Sequence, residues 1–429
     1  MKEQKHLSLL FVKKLDTDKY LIYNSAQHIP AVFNKRGKLF VETIFKSNRD
    51  FSKSVKHIKK EHQEEFTDFY QELKKNDFLN IEDTHIKHEY NDNEILKTKK
   101  TFYFFVTDKC NLNCAYCFNK NIRTNFNDLS LSKWKKIIDE IKEHIGTITI
   151  TGGEPSLFKP LFELIKYIKK VTSDDVYIDM FTNGSMPFYK DDNNKYFQIL
   201  TEINKLTISC DNITDDNHRR KGFSRDIFFK NIEWLKQNGF TNKVTLNSVY
   251  SRNNIEEIKG IKAYATSNNM KFTYALSLPQ KKSDKKYMPY LKEYKNCLYN
   301  DDILGTNSEK SNSEIPINLK CSAAATVFSI DSQGNCFPCQ NFHFPKFYLG
   351  NLLQNSFKEI YFSKPAILLR NHTVYDSKTC KDCNLKYICA GGCIADTYKL
   401  HKSINEYPSI MCPYYKAGAI NRLIKNNYE

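Results

Sequence analysis

TDKCNLNCAYCF, residues 107–118, follows directly on the apolar stretch FYFFV at 102–106 and places Cys110, Cys114 and Cys117 on one short loop. Three thiolates so spaced can hold three irons of a cubane 4Fe-4S cluster and leave the fourth iron open to an outside ligand. An open iron is a reaction site. The competing reading is a closed zinc knuckle, but zinc takes four ligands and usually a second cysteine pair at similar range, and none lies near this loop.

The spacing, Tyr116 before the third cysteine and Phe118 after it resemble the radical S-adenosylmethionine (radical SAM) superfamily. The resemblance implies that the amino and carboxylate groups of SAM chelate the open iron and that one electron cleaves SAM to a 5'-deoxyadenosyl radical. It also implies an electron donor such as flavodoxin or ferredoxin. The run TITITGGEP at 147–155 supports the same reading, an apolar strand pattern entering a glycine pair. Glycine lets the backbone approach a ligand closely and adopt φ values barred to other residues. Placed one strand after the cysteine loop, Gly152, Gly153 and Glu154 resemble the segment that cradles the SAM amino group in that family, with Tyr116 among the cofactor contacts.

Length, charge and cysteine usage set outer limits. A chain of 429 residues should hold about two or three domains. The net charge of +16 suits an acidic partner or reflects a lysine-rich solvated surface. No apolar run is long enough to span a bilayer, and MKEQKHLSLL lacks a signal-peptide core, so a cytoplasmic protein without a membrane partner is expected. Thirteen cysteines in a reducing compartment point to metal or redox chemistry rather than disulfides.

The chain reads in blocks. Residues 1–85 pair the strand patterns KHLSLLFVK and KYLIYN with three helical patterns, KLFVETIFKS, FSKSVKHIKKEHQ and EEFTDFYQELKKNDF. In the last, Phe66, Phe69, Tyr70 and Leu73 fall on one helical face. Two strands and three helices suggest a winged helix-turn-helix. The order resembles the recognition element of ribosomal peptide maturases, akin to the peptide chaperone of pyrroloquinoline quinone synthesis. That resemblance implies a precursor peptide captured through its leader by strand addition. A plain capping domain or a DNA-binding winged helix are the alternatives, and no nucleic-acid partner is expected.

A polar linker at 86–100 leads to residues 101–285, where strand and helix alternate six times: FYFFVT, TITIT, VYIDMFT, KLTIS, KVTLNSVY and KFTYALSL, with helical segments between. Such alternation builds an α/β parallel sheet, and six units match the partial (β/α)6 TIM barrel of radical SAM enzymes. Chemistry then belongs at the C-terminal ends of the strands. Asn183 follows the third strand there. The family implies that Ser209, after the fourth strand, contacts SAM, that Arg220 (or Arg219) grips its carboxylate as a planar fork, and that Leu278 meets the adenine through its backbone.

After a bridging segment at 286–314, residues 315–429 hold eight cysteines. The run CSAAATVFSIDSQGNCFPC contains Cys321, Cys336 and Cys339, with a hairpin expected around DSQGN. Cys380, Cys383, Cys389 and Cys393 follow as C-x2-C-x5-C-x3-C, then Cys412. Zinc competes for any single C-x2-C pair. The pattern resembles the cysteine-rich SPASM extension, which binds auxiliary 4Fe-4S clusters in enzymes that modify peptides and proteins. By that resemblance Cys380, Cys383, Cys389 and Cys412 hold an outer cluster, and Cys321, Cys339 and Cys393 an inner one. Cys336 departs from the pattern, lying after Gly334, and is either a fourth inner ligand or a bystander. Three clusters are implied in all, one of them binding SAM. Cys210 and Cys297 default to small buried hydrophobes.

The expected function is a peptide maturase forming a thioether or carbon–carbon crosslink in a ribosomal precursor. Anaerobic sulfatase maturases are the enzymatic alternative, but they carry an aspartate base directly after the inner cysteine, where this chain has Gln340, a neutral amide. An iron–sulfur winged-helix regulator would leave GGEP and the strand–helix array unexplained.

Overall fold

A computed structural model describes residues 7–82, 91–120, 123, 127–190, 194–214, 219–279, 281–299, 317–407 and 410–427. Residues 86–90 of the expected linker and 300–314 of the expected bridge lie outside them.

The N-terminal block forms an antiparallel sheet of β1 (Leu10–Lys14), β2 (Lys19–Asn24) and β3 (Ile29–Asn34). The third strand is a departure from the expected pair. IPAVFN opens on Ile-Pro and has no clean alternation, and its strand state comes from pairing with β2 residue by residue. Asn34 then caps the helix Lys35–Lys46, its side chain accepting from the Gly37 amide at 2.7 Å. The second helical pattern also differs from expectation. Phe51–Ser54 forms one turn and Val55–His57 a 3-10 turn, after which Ile58 is extended. The Gln63 side chain bonds the carbonyls of Val55 and Ile58 that a continuous helix would have used. Phe51, Val55 and Ile58 still pack on the same core as Phe66 and Leu73 of the helix Gln63–Lys75.

All six expected strands of the middle block form: β4 (Lys100–Phe105), β6 (Ile145–Thr151), β7 (Tyr177–Thr182), β8 (Lys205–Ser209), β10 (Val244–Tyr250) and β11 (Lys271–Leu276). They run parallel in the order β11-β10-β8-β7-β6-β4. A two-stranded ribbon pairs β5 (Asn113–Cys114) with β9 (Arg220–Lys221). The pleat gives the central sheet two unlike faces. Phe102, Phe104, Ile148, Ile150, Ile178 and Met180 are buried with Trp134, Ile137 and Ile168 of the covering helices. On the alternate positions Tyr103, Thr149 and Asp179 stand in register across three strands, and Asp179 is held by Lys205 Nζ at 2.9 Å and Thr207 Oγ1 at 3.0 Å.

The cysteine-rich block joins this sheet rather than standing apart. β12 (Val327–Ile330) lies parallel to β4, and the expected hairpin turns it into β13 (Asn335–Phe337), which pairs with β14 (Gly350–Asn351). The Asp331 carboxylate closes the turn, accepting from the Gln333 and Asn335 amides at 2.9 Å each, and Gly334 takes φ +82°. Among the described residues the result is one mixed sheet of nine strands. Among the described residues no helix is long and apolar enough to cross a membrane.

Candidate functional site

The cysteine loop leaves the C-terminal end of β4 and is held from three sides. Thr107 and Lys109 both bond Asp128, at 2.8 and 2.9 Å, a partner for which the sequence carried no signal. β5 ties Cys114 opposite Arg220, with the Ala115 amide donating to the Arg219 carbonyl at 2.8 Å. From the third side, the Gly153 amide donates to Thr107 O and the Glu154 amide to Lys109 O, both at 2.7 Å. The glycines also let two chain segments approach each other. A Cβ on Gly153 would sit 2.0 Å from Lys109 O, and one on Gly152, at φ +136°, 2.4 Å from Thr107 O. The close approach the pair permits is to the cysteine loop itself.

Glu154 is fully buried. Its carboxylate accepts from Ser156 Oγ at 2.6 Å, Thr182 Oγ1 at 2.9 Å and the Asn183 amide at 2.7 Å, so it ties the end of β6 to the end of β7. Burial pushes its pKa up, and these donors pull it back. The Asn183 side chain turns to the cysteine loop, donating to Asn111 Oδ1 at 2.8 Å and lying 3.8 Å from Cys110 Sγ. Arg220 is buried, donating to Ser209 O at 2.5 Å and Asn183 O at 2.7 Å with its guanidinium 4.7 Å from the Phe223 ring centroid. Burial raises the Cys114 thiol pKa and Arg220 lowers it. The Tyr116 hydroxyl donates to Asp211, a buried carboxyl that also accepts from the Val249 amide at 2.8 Å. Arg219 instead bonds Ser251. Tyr116, Gly152, Gly153, Glu154, Asn183, Ser209 and Arg220 thus converge around Cys110, Cys114 and Cys117. Leu278 packs farther along, with Tyr250 and Met288 beyond β11.

The cysteine-rich block separates its thiols into two sets. Burial and then the charge of Cys321 push Cys339 up to about 12, and Cys393 is raised by burial and by Asp396, Cys339 and Cys321. Cys389 is pushed up to about 12 by burial and by Cys383, Cys380 and Cys412. Cys336 stands outside both. It is fully buried on β13 within the central core, and the charge that raises it is Asp331, not another thiol. Cys210 and Cys297 are buried in apolar clusters.

Burial and mutual repulsion both disfavour thiolates in these sets, so they become stable as thiolates around a cationic centre. Among the described residues no three Cys, His, Asp or Glu side chains gather tightly enough for a single ion. A cubane spreads its ligands more widely, and soft sulfur donors suit it. The donor sets fit iron–sulfur clusters.

Residues 104–265 match the model of the radical SAM superfamily, and 321–384 match that of the SPASM iron-sulfur cluster-binding domain. The chain carries a radical SAM domain followed by a SPASM domain. These domains make it an enzyme and support SAM and 4Fe-4S clusters as its cofactors. The cysteine-type anaerobic sulfatase-maturating enzyme of Clostridium novyi (strain NT) is 22% identical over 324 residues, 67% of this chain and 85% of that protein. Among solved structures, native anSMEcpe with bound AdoMet aligns with TM-score 0.59 at 20% identity, covering 76% of this chain and 99% of its own. Streptococcus suis SuiB bound to precursor peptide SuiA aligns with TM-score 0.59 at 18% identity, covering 94% of this chain and 98% of its own. At these identities the structural likeness concerns the fold.

Proposed function

We propose that this radical SAM–SPASM enzyme is a peptide maturase that joins side chains of a ribosomally made precursor through a thioether or carbon–carbon bond. The observation that carries the reading is the extent of the fold it shares with SuiB, 94% of this chain against 76% for the sulfatase-maturase structure. A span of that length takes in the N-terminal sheet and helices, which we read as the winged, leader-binding domain. Gln340 points the same way: a neutral amide stands directly after Cys339 where a sulfatase maturase would need a base.

Cys110, Cys114 and Cys117 would hold the SAM-binding cluster, with Gly152, Gly153, Glu154, Asn183, Ser209 and Arg220 around the cofactor. When bound, these groups supply hydrogen-atom abstraction and electron acceptance. The chain's own residues position the reactants. The Gly153 and Glu154 amides fix the cysteine loop against β6, and Arg220 locks the ends of β7 and β8 together. Crosslinking removes a pair of hydrogens from the peptide, one as an atom and one as a proton with an electron.

Co-expression with a candidate short precursor peptide, sought among the neighbouring genes, followed by mass spectrometry, tests the reading. A mass deficit of one hydrogen pair per bond is expected, lost when Cys110, Cys114 and Cys117 are all replaced by Ala. Continued SAM cleavage by that triple variant would refute the site. The curated sulfatase-maturase relative supports a second reading, oxidation of a Cys or Ser in a sulfatase. Conversion of a sulfatase-derived peptide, with the precursor left untouched, would establish that reading instead.

A further inference from the structure

The outer cysteine set lies where three parts of the chain meet. Cys383 and Cys389 share one apolar cluster with Leu21 and Tyr23 of β2, with Leu385 and Ile388 beside them, and with Ala419, Leu423 and Ile424 of the C-terminal helix Cys412–Asn427. Asn384, the residue after Cys383, donates its side-chain amide to Leu10 O of β1 at 3.0 Å. The pleat of β2 sorts its residues: Ile22 faces the N-terminal helices, while Leu21 and Tyr23 face the cysteines.

Cys412 opens the same C-terminal helix. Two residues on, Tyr414 bonds Pro289 O at 2.6 Å, and farther along Arg422 bonds Ile388 O at 2.5 Å. The helix that supplies one thiol therefore also presents the apolar surface on which the N-terminal sheet rests. Around the other three thiols the backbone has little order of its own, a 3-10 turn at Cys380–Asp382 and a single helical turn at Lys386–Cys389. Segments this short do not hold a shape unaided, and metal binding is coupled to folding in such sites.

We infer that the outer cysteine set, beyond any electron transfer, is the clasp that docks the N-terminal domain: its metal centre orders residues 380–389 and the start of the C-terminal helix, and that ordered surface seats Leu21 and Tyr23. Metal loading then decides whether the N-terminal domain is held beside the central sheet. The docking rests on these contacts alone; only its use, presenting a bound leader, rests on the maturase reading. Linkage makes the effect reciprocal, so loosening the docked sheet must loosen the metal.

Two measurements on the full chain, neither needing a peptide substrate, test the clasp. In Cys412→Ser, loaded anaerobically with iron, hydrogen exchange of residues 10–24 and 417–425 should rise about tenfold, with residues 35–75 and the central sheet unchanged. In Leu21→Asp, which leaves every cysteine in place, a chelator should strip the outer iron at least about fivefold faster than from the native chain, with the remaining iron released at the native rate. Unchanged exchange at 10–24 in a Cys412→Ser protein lacking that iron would overturn the proposal, as would native release kinetics in Leu21→Asp. If Cys412→Ser loses protection throughout the central sheet, the Leu21→Asp release rate decides. If Leu21→Asp unfolds its own domain, shown by lost protection at 35–75, Leu423→Ser on the opposite side of the contact replaces it with the same expected and overturning results.

Discussion

Replacing Gly153 by Ala tests whether the glycine pair serves the approach of two chain segments. The added methyl would lie 2.0 Å from Lys109 O and 2.8 Å from Asp108 O, where real contacts of this kind stay above 3.0 Å. Both obstacles are backbone, so no side chain can swing away; the loop at 107–110 must move off by about 1 Å, an overpacking cost of about 1–3 kcal/mol. Such a shift stretches the bonds from Gly153 N to Thr107 O and from Glu154 N to Lys109 O, each 2.7 Å, beyond bonding range. With each bond worth about 1 kcal/mol, the expected loss is about 3–5 kcal/mol. Gly260→Ala is the matched control. It changes the same atoms in the helix Ile255–Ser267, where nothing lies within 4 Å of the new methyl, and should stabilise by about 0.5–1 kcal/mol. Urea unfolding followed by tryptophan fluorescence reads both, because Trp134 and Trp234 pack against the central core. Iron retained by the Cys110 set should fall in Gly153→Ala alone. If the two variants shift the urea midpoint in the same direction, the packing account is wrong.

Arg220→Met keeps the bulk and removes the fork that bonds Ser209 O and Asn183 O, with a cost of about 1.5–3 kcal/mol for each charge-assisted bond. It also removes the charge that lowers the Cys114 pKa, so Cys114 in the metal-free chain should alkylate more slowly at neutral pH; an unchanged rate would show that Arg220 does not act on this thiol. Burial pushes His343, whose Nε2 lies 2.6 Å from Ser329 Oγ, down to about 3 from its ordinary 6.5. Between those values the unfolded chain takes up a proton that the folded chain refuses, so stability should fall as pH drops, by at most about 1.4 kcal/mol per unit. His343→Gln should lose about 1.6 kcal/mol less than the native chain between pH 6.5 and 5.0 in urea titrations, and equal acid sensitivity in the two would exclude His343 as the source.

The radical SAM core was legible because its signals are local. Three cysteines in eight residues and a glycine pair at the end of an apolar strand need only a few bonds of chain to define them. The six strands follow from runs of apolar residues bounded by helical periodicity, and five of them bury residues in the core, while β11 at the sheet edge is only half-buried. Asn183, Ser209 and Arg220 are expected at the site only through family likeness and their place at strand ends. Asp128, which holds the front of the cysteine loop, could not be read from sequence, because it is one aspartate among many until the fold brings it to Thr107 and Lys109.

Read alone, the chain therefore determined its order of blocks, its open three-thiol loop and the alternation that builds the central sheet, since each depends on residues near in sequence. Tertiary structure decided what depends on partners far along the chain. It made a strand of Ile29–Asn34 by offering β2, and it broke the second helical pattern at Ile58, where the Gln63 side chain takes the carbonyls of Val55 and Ile58. It also carried β12 onto the edge of β4, which turns Cys336 into the core by the pleat of β13 while Cys339, past Pro338, turns towards Cys321. Two thiols three residues apart meet different surroundings, because the pleat and the neighbouring strand set where each side chain points.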